Sequence, residues 1–251
     1  MLALAAAGRR RSAKALRLPA ERFAAAAAAL AFALFASVAG AEISGSASIV
    51  SDYRYRGVTL SGKKPAAQVG VSYDHALGFF AGAFASTIRL TPPYGPGLLS
   101  SAYSGYAWRL PSGITLEAGG DYFWFDDAAR YNYGEVFAGV GNDSVSVRLH
   151  YSQRYWGFTS DSLYAEINYA QPLVDPVRLI AHAGFLRLGS DTFYASGSDR
   201  RVLDAQIGIA ADFDLFRVQV AWVGISRANA ASGIMHTTST NTVTLTLSRA
   251  F

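Results

Sequence analysis

The chain has 251 residues, with 22 lysines and arginines against 18 aspartates and glutamates, and it has no cysteine. The absence of cysteine excludes disulfides, a thiolate metal site and a cysteine nucleophile. Residues 1–41 hold six of the bases and one of the acids, which leaves 16 bases and 17 acids in residues 42–251. The basic excess therefore belongs to the N-terminal segment, and it gives no reason to expect nucleic-acid binding.

The first predicted element is an export signal at residues 1–41. Basic residues lie between Arg9 and Arg22, an apolar run follows from Phe23 to Val38, and Ala39-Gly40-Ala41 is a small-residue cleavage site. This order is typical of a secretory signal peptide. An anchor that stays in the inner membrane is the alternative, but the apolar run is short for a spanning helix. The mature domain is therefore expected at residues 42–251.

Residues 42–251 alternate between apolar and small or polar residues, segment after segment. A period of two is the pattern of a β-strand with two different faces. In the third segment, for example, Phe80, Phe84 and Ile88 alternate with small residues and Arg89, and we expect the apolar set to face lipid. The twelve predicted strands cover residues 43–56, 68–74, 80–89, 103–110, 114–122, 131–141, 145–152, 163–169, 177–188, 203–209, 216–222 and 242–248.

The connections between these segments are short and long in turn. The short ones, rich in turn-forming residues, are 76–78, 111–113, 142–143, 174–176 and 212–214, and the longer ones are 58–65, 91–100, 126–130, 153–161, 189–200 and 227–237. Short turns at one end, longer loops at the other and an even number of strands are typical of a bacterial outer-membrane barrel. The sequence therefore predicts an all-β fold, a closed transmembrane antiparallel β-barrel of about 12 strands.

Aromatic residues concentrate near the predicted strand ends. The outer ends carry Tyr53, Tyr55, the segment 122–125, Tyr131, Tyr133 and the segment 155–158, and a second set, which includes Phe251, lies toward the inner ends. Aromatic rings favour the headgroup level of a bilayer, so we expect two aromatic girdles at these positions.

Four sequence blocks resemble a known family. They are SDYRYRG at residues 51–57, GFFAGAFAS at 78–86, YNYGEVFAGV at 131–140 and AHAGF at 181–185. Together they resemble the proteobacterial conserved hypothetical family Gcw_chp, also called TorF-type porins. The resemblance implies an outer-membrane barrel with a role in transport. It brings no assigned substrate and no catalytic residue.

Charged residues on the polar parity of the predicted strands are candidate pore-lining residues. In a porin such groups face a wet channel and set its ion preference. The alternative is that they pair across a narrow lumen and fill it, since twelve strands lie between the filled eight-stranded barrels and the open channels of 16 or more. The candidates are Asp52, Arg54, Arg56, Arg89, Arg109, Glu117, Asp121, Arg148, Glu166, Asp204 and Arg217.

These features predict a narrow passive channel for small hydrophilic solutes in the outer membrane of a Gram-negative bacterium. No cofactor is expected, and the four scattered histidines do not have the spacing of a metal site. One alternative is a structural or adhesive barrel that acts through its extracellular loops. Another is a lipid-modifying enzyme built on His150, Ser152 and Asn168, but their parity turns them toward the lumen and away from lipid.

The last predicted strand indicates a partner for assembly. Val243, Leu245 and Leu247 alternate up to the terminal Phe251, and this resembles the signal that the barrel-assembly machinery reads. The other expected partners are outer-membrane lipid and the small hydrophilic solutes. Nucleic acid is not expected.

Overall fold

The structure, a computed structural model, describes residues 41–189, 200–226 and 241–251. Twelve strands in these ranges form one closed antiparallel barrel, and two further strands of two residues each form a small hairpin. The predicted closed 12-stranded barrel is therefore confirmed, whereas most of the predicted signal peptide lies outside the described residues. The strands are β1 Ala41–Val50, β2 Arg54–Tyr55, β3 Val58–Thr59, β4 Ala66–His75, β5 Phe79–Arg89, β6 Pro96–Arg109, β7 Thr115–Phe125, β8 Tyr133–Gly141, β9 Val145–Ser152, β10 Ser162–Val174, β11 Val177–Leu188, β12 Arg201–Asp212, β13 Arg217–Ile225 and β14 Asn241–Ala250.

Each barrel strand pairs with its neighbours in the chain, and β1 closes the ring by pairing with both β4 and β14. At the closing seam, Gly45 and Phe251 exchange two backbone hydrogen bonds of 2.7 and 3.0 Å. Each of the twelve described barrel strands is paired on both sides, and this removes the usual risk of edge-to-edge association. Two 3₁₀ turns, Ala129–Tyr131 and Tyr155–Gly157, are the helical segments in the described ranges. None of the helices described has the length and apolar character that crossing a membrane requires.

The two ends of the barrel differ in their connections. Tight turns join β4 to β5, β6 to β7, β8 to β9, β10 to β11 and β12 to β13, and we call this the short-turn end. The longer connections that the structure describes, beginning with residues 51–65, lie at the opposite end, which we call the loop end. Both described termini, residues 41 and 251, lie at the short-turn end because β1 begins there and β14 ends there.

The outside of the barrel is apolar. Val136, Leu203 and Val243 are each more than half exposed, and many other large apolar side chains on the outward parity are exposed as well. A continuous apolar exterior of this kind is the band that a membrane-spanning barrel presents to hydrocarbon. The inward parity carries most of the polar residues, so the two faces of most strands are as predicted.

On strand β5 the inward and outward faces are the reverse of those predicted. Phe80 and Phe84 pair with Asp74 and Gly70, which lie on the inward parity of β4. Arg89 therefore lies on the outward parity, where it is exposed, and the prediction that it lines the pore is wrong. The physical reason is that the lumen is lined by rings here: Phe80 stacks on Phe137 of β8 with 6.3 Å between ring centroids. Alternation distinguishes the two faces of a strand, but it does not show which face lies toward the lumen.

The first strand also ends earlier than predicted, at Val50 rather than at residue 56. Residues 51–65 leave the wall and fold inward, and we call this segment the inner loop. Its tip is the β2–β3 hairpin, whose turn residues Arg56 and Gly57 have positive φ angles of 49° and 76°. Two positive φ angles are typical of a tight hairpin turn and explain the glycine. The prediction that Asp52, Arg54 and Arg56 lie on the first barrel strand is therefore wrong.

Candidate functional site: the barrel lumen

The tip of the inner loop is anchored to the far wall of the barrel by Arg56. The Arg56 guanidinium donates two hydrogen bonds, of 2.8 and 2.6 Å, to the two carboxylate oxygens of Glu135 on β8. It also lies over the ring of Tyr164 on β10, 4.1 Å from the centroid. Both members of the ion pair are almost fully buried. A bidentate pair of this kind fixes orientation as well as position.

The charge of Arg56 is secure in this setting. Burial alone would lower the pKa of the guanidinium, but the hydroxyl of Tyr55 and the carboxylate of Glu135 raise the pKa well above its ordinary value. The rings of Tyr55 and Tyr155 lie 4.9 and 5.5 Å from the guanidinium carbon and add cation–π attraction. The anchor is thus a permanent cation held in an aromatic pocket.

A second ion pair holds the inner loop in shape. The Nε atom of Arg54 donates to the Asp52 carboxylate at 2.8 Å, and its Nη1 atom donates to the Gly57 carbonyl at 2.9 Å. Asp52 also accepts hydrogen bonds from the hydroxyls of Thr59 and Ser61. The polar residues of the motif SDYRYRG therefore bind mainly to one another and to the wall, which preserves the hairpin inside the barrel.

Apolar side chains surround the inner loop and fill the lumen at the loop end, within the described residues. We call them the loop-end cluster. Leu60 of the inner loop and Trp156 are 0 % and 1 % exposed, so this region is dry. The buried members are Leu60, Ile88, Leu90, Leu99, Phe125, Ala128, Tyr131, Tyr133, Tyr155, Trp156, Tyr164, Leu186, Leu188, Val202 and Ile225.

The loop-end cluster corrects the prediction of an outer aromatic girdle. Tyr131, Tyr133 and Tyr155 are buried in the cluster, and Tyr53 and Tyr55 pack against it. Their rings lie inside the barrel and not at a membrane interface. By contrast, Tyr122 and Trp124 on the outward parity of β7 are 42 % and 44 % exposed, as a girdle residue should be.

The lumen widens below the inner loop toward the short-turn end. A cavity of about 670 Å³ lies against β7 and β9–β13, and the underside of the inner loop forms its roof. Its lining is rich in charge and hydrogen-bonding groups. The polar lining includes Arg148, Glu166, Asn168, His182, Gln206 and Gln219.

A second cavity, of about 500 Å³, lies against β4–β9. Asp74, Arg109 and Glu117 contribute charge to its wall. The ion pair between Arg148 and Glu117, 2.8 Å long and partly exposed, stands where the two cavities adjoin. This half of the lumen is therefore polar and open enough for water, unlike the loop end.

Glycines on the wall do not simply leave room in the lumen. The ring of Phe80 lies over Gly105 and that of Phe137 lies over Gly119, so an added Cβ at either glycine would come within 2.6 Å of a ring atom. Each pair is directly opposite across two neighbouring strands. The glycines leave space for the ring of the neighbouring strand, and these rings narrow the lumen on the β5–β8 side.

A hydrogen-bonded group lies on the opposite wall. The two ring nitrogens of His182 on β11 lie 2.7 Å from Asn168 Oδ1 and 2.9 Å from Asp204 Oδ1. The Tyr164 hydroxyl donates to the Asp204 carboxylate. These contacts cross from β10 to β12 and hold the polar wall of the larger cavity in place.

Apart from Arg89, which lies on the outward parity of β5, the structure places the candidate pore-lining residues in three groups. Arg109, Glu117, Asp121, Arg148, Glu166 and Asp204 line the cavities. Asp52, Arg54 and Arg56 reach the lumen on the inner loop, and Arg217 lies at the short-turn end, bonded to Asp212. Sequence reasoning missed Glu135, because it shares its parity with Tyr133 and Phe137 and so seemed to belong to an apolar face.

The residues of the alternative lipid-modifying enzyme make other contacts in the lumen. The Ser152 hydroxyl is buried and donates to the Gly134 carbonyl at 2.8 Å. The ring nitrogens of His150 face Glu135 and Glu166. All of these side chains are on the inward parity, away from the apolar exterior. The arrangement does not favour a serine nucleophile activated by His150.

Comparisons with known proteins agree with the architecture. A family model described as a bacterial protein of unknown function (Gcw_chp) matches residues 36–251. The solved structure of the NanC porin is similar, with a TM-score of 0.55 at 10% identity over 84% of this chain and 99% of that one. The KdgM porin is similar with a TM-score of 0.50 at 10% identity over 83% of this chain and 97% of that one. No curated protein sequence matches the chain.

Proposed function

The chain belongs to the Gcw_chp family of bacterial proteins of unknown function, and from its lumen we propose that it is a narrow outer-membrane channel for small hydrophilic solutes. One observation carries the proposal: polar cavities of about 670 and 500 Å³ lie inside a closed barrel whose exterior is apolar. A barrel that serves only as an anchor does not need a hydrated, charged interior. The two porins among the similar solved structures support the proposal.

The inner loop is the constriction of this channel. Both cavities lie toward the short-turn end, and the loop-end cluster lies between them and the opposite opening. A solute therefore passes only when the inner loop shifts or when a path opens beside it. Arg56 and Glu135 control that shift, since their ion pair joins the tip of the inner loop to the wall.

Below the constriction, charge selects the solute. Arg148, Glu117 and Arg109 project into the cavities, and rings of charge of either sign set ion preference in such pores. The channel is passive and uses no catalytic residue. It reaches the outer membrane after export by the signal peptide at residues 1–41 and assembly through the strand that ends at Phe251.

Single-channel conductance in planar bilayers tests the proposal. Residues 42–251 are refolded as wild type and as a variant in which Arg54–Thr59 is replaced by glycine and serine at equal length. We expect small discrete steps for the wild type and severalfold larger steps for the variant, because the variant loses the anchor and the hairpin. A matched control replaces Thr91–Gly95, another loop-end connection, in the same way.

The same recordings separate the alternatives. Equal conductance in the hairpin variant and in the control variant would show that the inner loop is not the constriction. Folded wild-type and hairpin variant barrels that both stay silent over a wide range of voltage and salt would contradict a channel. That outcome would favour a structural or adhesive barrel, which acts through its loops.

A further inference from the structure

Three potential metal ligands meet on neighbouring strands below the inner loop. Asp121 of β7, Glu135 of β8 and His150 of β9 all lie on the inward parity. One ligand atom from each lies within 4.8 Å of the others. Linear spacing gave no sign of this group because each residue comes from a different strand.

The group contains buried polar atoms that have no hydrogen-bond partner in the described part of the chain. They are Oδ1 of Asp121 and both ring nitrogens of His150. His150 is only 7 % exposed, and it lies with Asp121 at the wall of the larger cavity. Its Nδ1 atom points to Glu135 Oε2 at 3.5 Å, which is too long for a good hydrogen bond. Buried groups of this kind normally have a partner, and their lack of one points to a missing ligand.

The charges around His150 point to a cation. Three carboxylates lie around His150, those of Asp121, Glu135 and Glu166, and among the described residues Arg56 is the arginine bonded to one of them, since Arg148 is bonded to Glu117. Metal ligation requires the neutral imidazole, and in that form the three carboxylates face only the guanidinium of Arg56. A divalent cation at this wall of the larger cavity would balance the remaining negative charge.

We propose that Asp121, Glu135 and His150 bind a divalent transition-metal ion of the zinc class. Imidazole nitrogen together with carboxylate oxygen suits such an ion, and three protein ligands leave a coordination position for water. Glu166 fits as the outer partner of His150, because its Oε1 atom lies 3.7 Å from Nε2 while Nδ1 faces Glu135. A carboxylate behind a metal-bound histidine fixes the ring and its tautomer. Ligation requires side-chain rotations that bring the three ligand atoms, which lie within 4.8 Å of one another, to bonding distance.

The proposed site competes with the anchor of the inner loop. Both carboxylate oxygens of Glu135 already accept hydrogen bonds from Arg56. A metal ion that takes one of these oxygens weakens the bidentate pair, and the positive guanidinium in turn opposes the metal ion. The metal and Arg56 therefore share Glu135, and the removal of Arg56 must strengthen metal binding.

Titration with Co²⁺ alone tests the site, and its result does not depend on whether the barrel conducts. Refolded residues 42–251, freed of metal with a chelator, are titrated while the visible absorption of Co²⁺ is recorded. We expect one ion per barrel, with visible d–d bands stronger than those of the free aqua ion, as a site of lower coordination number gives. His150→Gln and Asp121→Asn should weaken binding by at least about tenfold, and Arg56→Gln should strengthen it by about tenfold. His182→Gln, a lumen histidine outside the group, should bind as the wild type does.

Two results would overturn the site. One is a folded wild-type barrel that binds no Co²⁺ at millimolar concentration. The other is equal binding in His150→Gln and His182→Gln, which would mean that the ion is held elsewhere. Heat-modifiable migration on gels identifies folded barrels. If His150→Gln does not fold, Arg56→Gln decides, since unchanged affinity in that variant contradicts ligation by Glu135.

Discussion

The two halves of the lumen are enclosed by the same strands, but one half is packed with apolar side chains and the other contains polar cavities. At the loop end, the inner loop and the loop-end cluster form a dry core in which Leu60 and Trp156 are almost fully buried. At the short-turn end, the same strands enclose cavities lined by charge. Strand alternation decides which side chains face inward in both halves. The inner loop decides whether those side chains meet apolar packing or water.

This difference implies different energetics for the two halves. Burial of a ring in the loop-end cluster stabilises the fold, because each Å² of apolar surface removed from water contributes about 25 cal/mol of free energy. A charge in the short-turn half remains hydrated and its pairs are partly screened. Stability should therefore depend mainly on the loop end, and solute preference mainly on the short-turn end.

The largest expected effect is a loss of stability when a ring of the loop-end cluster is removed. Trp156→Ala leaves a large cavity in packed surroundings, so we expect the free energy of unfolding to fall by about 4 kcal/mol. Urea unfolding of the barrel in micelles, followed by circular dichroism, measures the change. Trp124→Ala, at an outward tryptophan that is 44 % exposed, is the matched control and should lose much less. Equal losses in the two variants would remove the distinction between a dry core and an outer surface.

The next effect comes from breaking the anchor. Arg56→Met leaves the buried Glu135 carboxylate without its partner, which should cost about 3 kcal/mol. The double variant Arg56→Met/Glu135→Leu removes both charges and should recover most of that loss, because desolvated charge no longer has to be balanced. The same unfolding measurement applies to both variants. A double variant as unstable as the single one would mean that the ion pair contributes more than its desolvation costs.

The smallest effect on stability is expected in the short-turn half. Arg148→Gln removes a partly exposed ion pair with Glu117, and such pairs contribute at most about 1 kcal/mol. The same substitution removes a positive charge from both cavities, so the channel should become more selective for cations. Reversal potentials in a salt gradient measure this shift. Unchanged selectivity together with a large loss of stability would reverse the roles assigned to the two halves.

Much of the architecture is predictable from the sequence, because strand alternation and turn residues are local signals. The strand number, the closed barrel, the alternation of short and long connections and most inward positions follow from them. Val69 and Val71 on β4, for instance, face outward as their parity predicts. The positions that line the cavities on β6, β7, β9 and β10 follow in the same way.

The contents of the lumen are not predictable by the same reasoning, since they depend on contacts between distant residues. The apolar residues Phe80 and Phe84 face inward because rings from other strands and the inner loop meet them there. Asp52, Arg54 and Arg56 continue the alternation of β1, although the backbone has already turned away from the wall. The glycine in Tyr55-Arg56-Gly57-Val58 is the local signal for that turn.

The distance along the chain between the inner loop and its contacts has a consequence for the order of assembly. Arg56 is 79 residues from Glu135, and the position of a Cβ on Gly57 would lie 2.9 Å from Asp204, which is further still along the chain. The inner loop follows the first strand, but its binding surfaces are provided by strands far along the chain. The inner loop cannot dock until those strands have joined the sheet, so its docking belongs to the late steps of barrel folding.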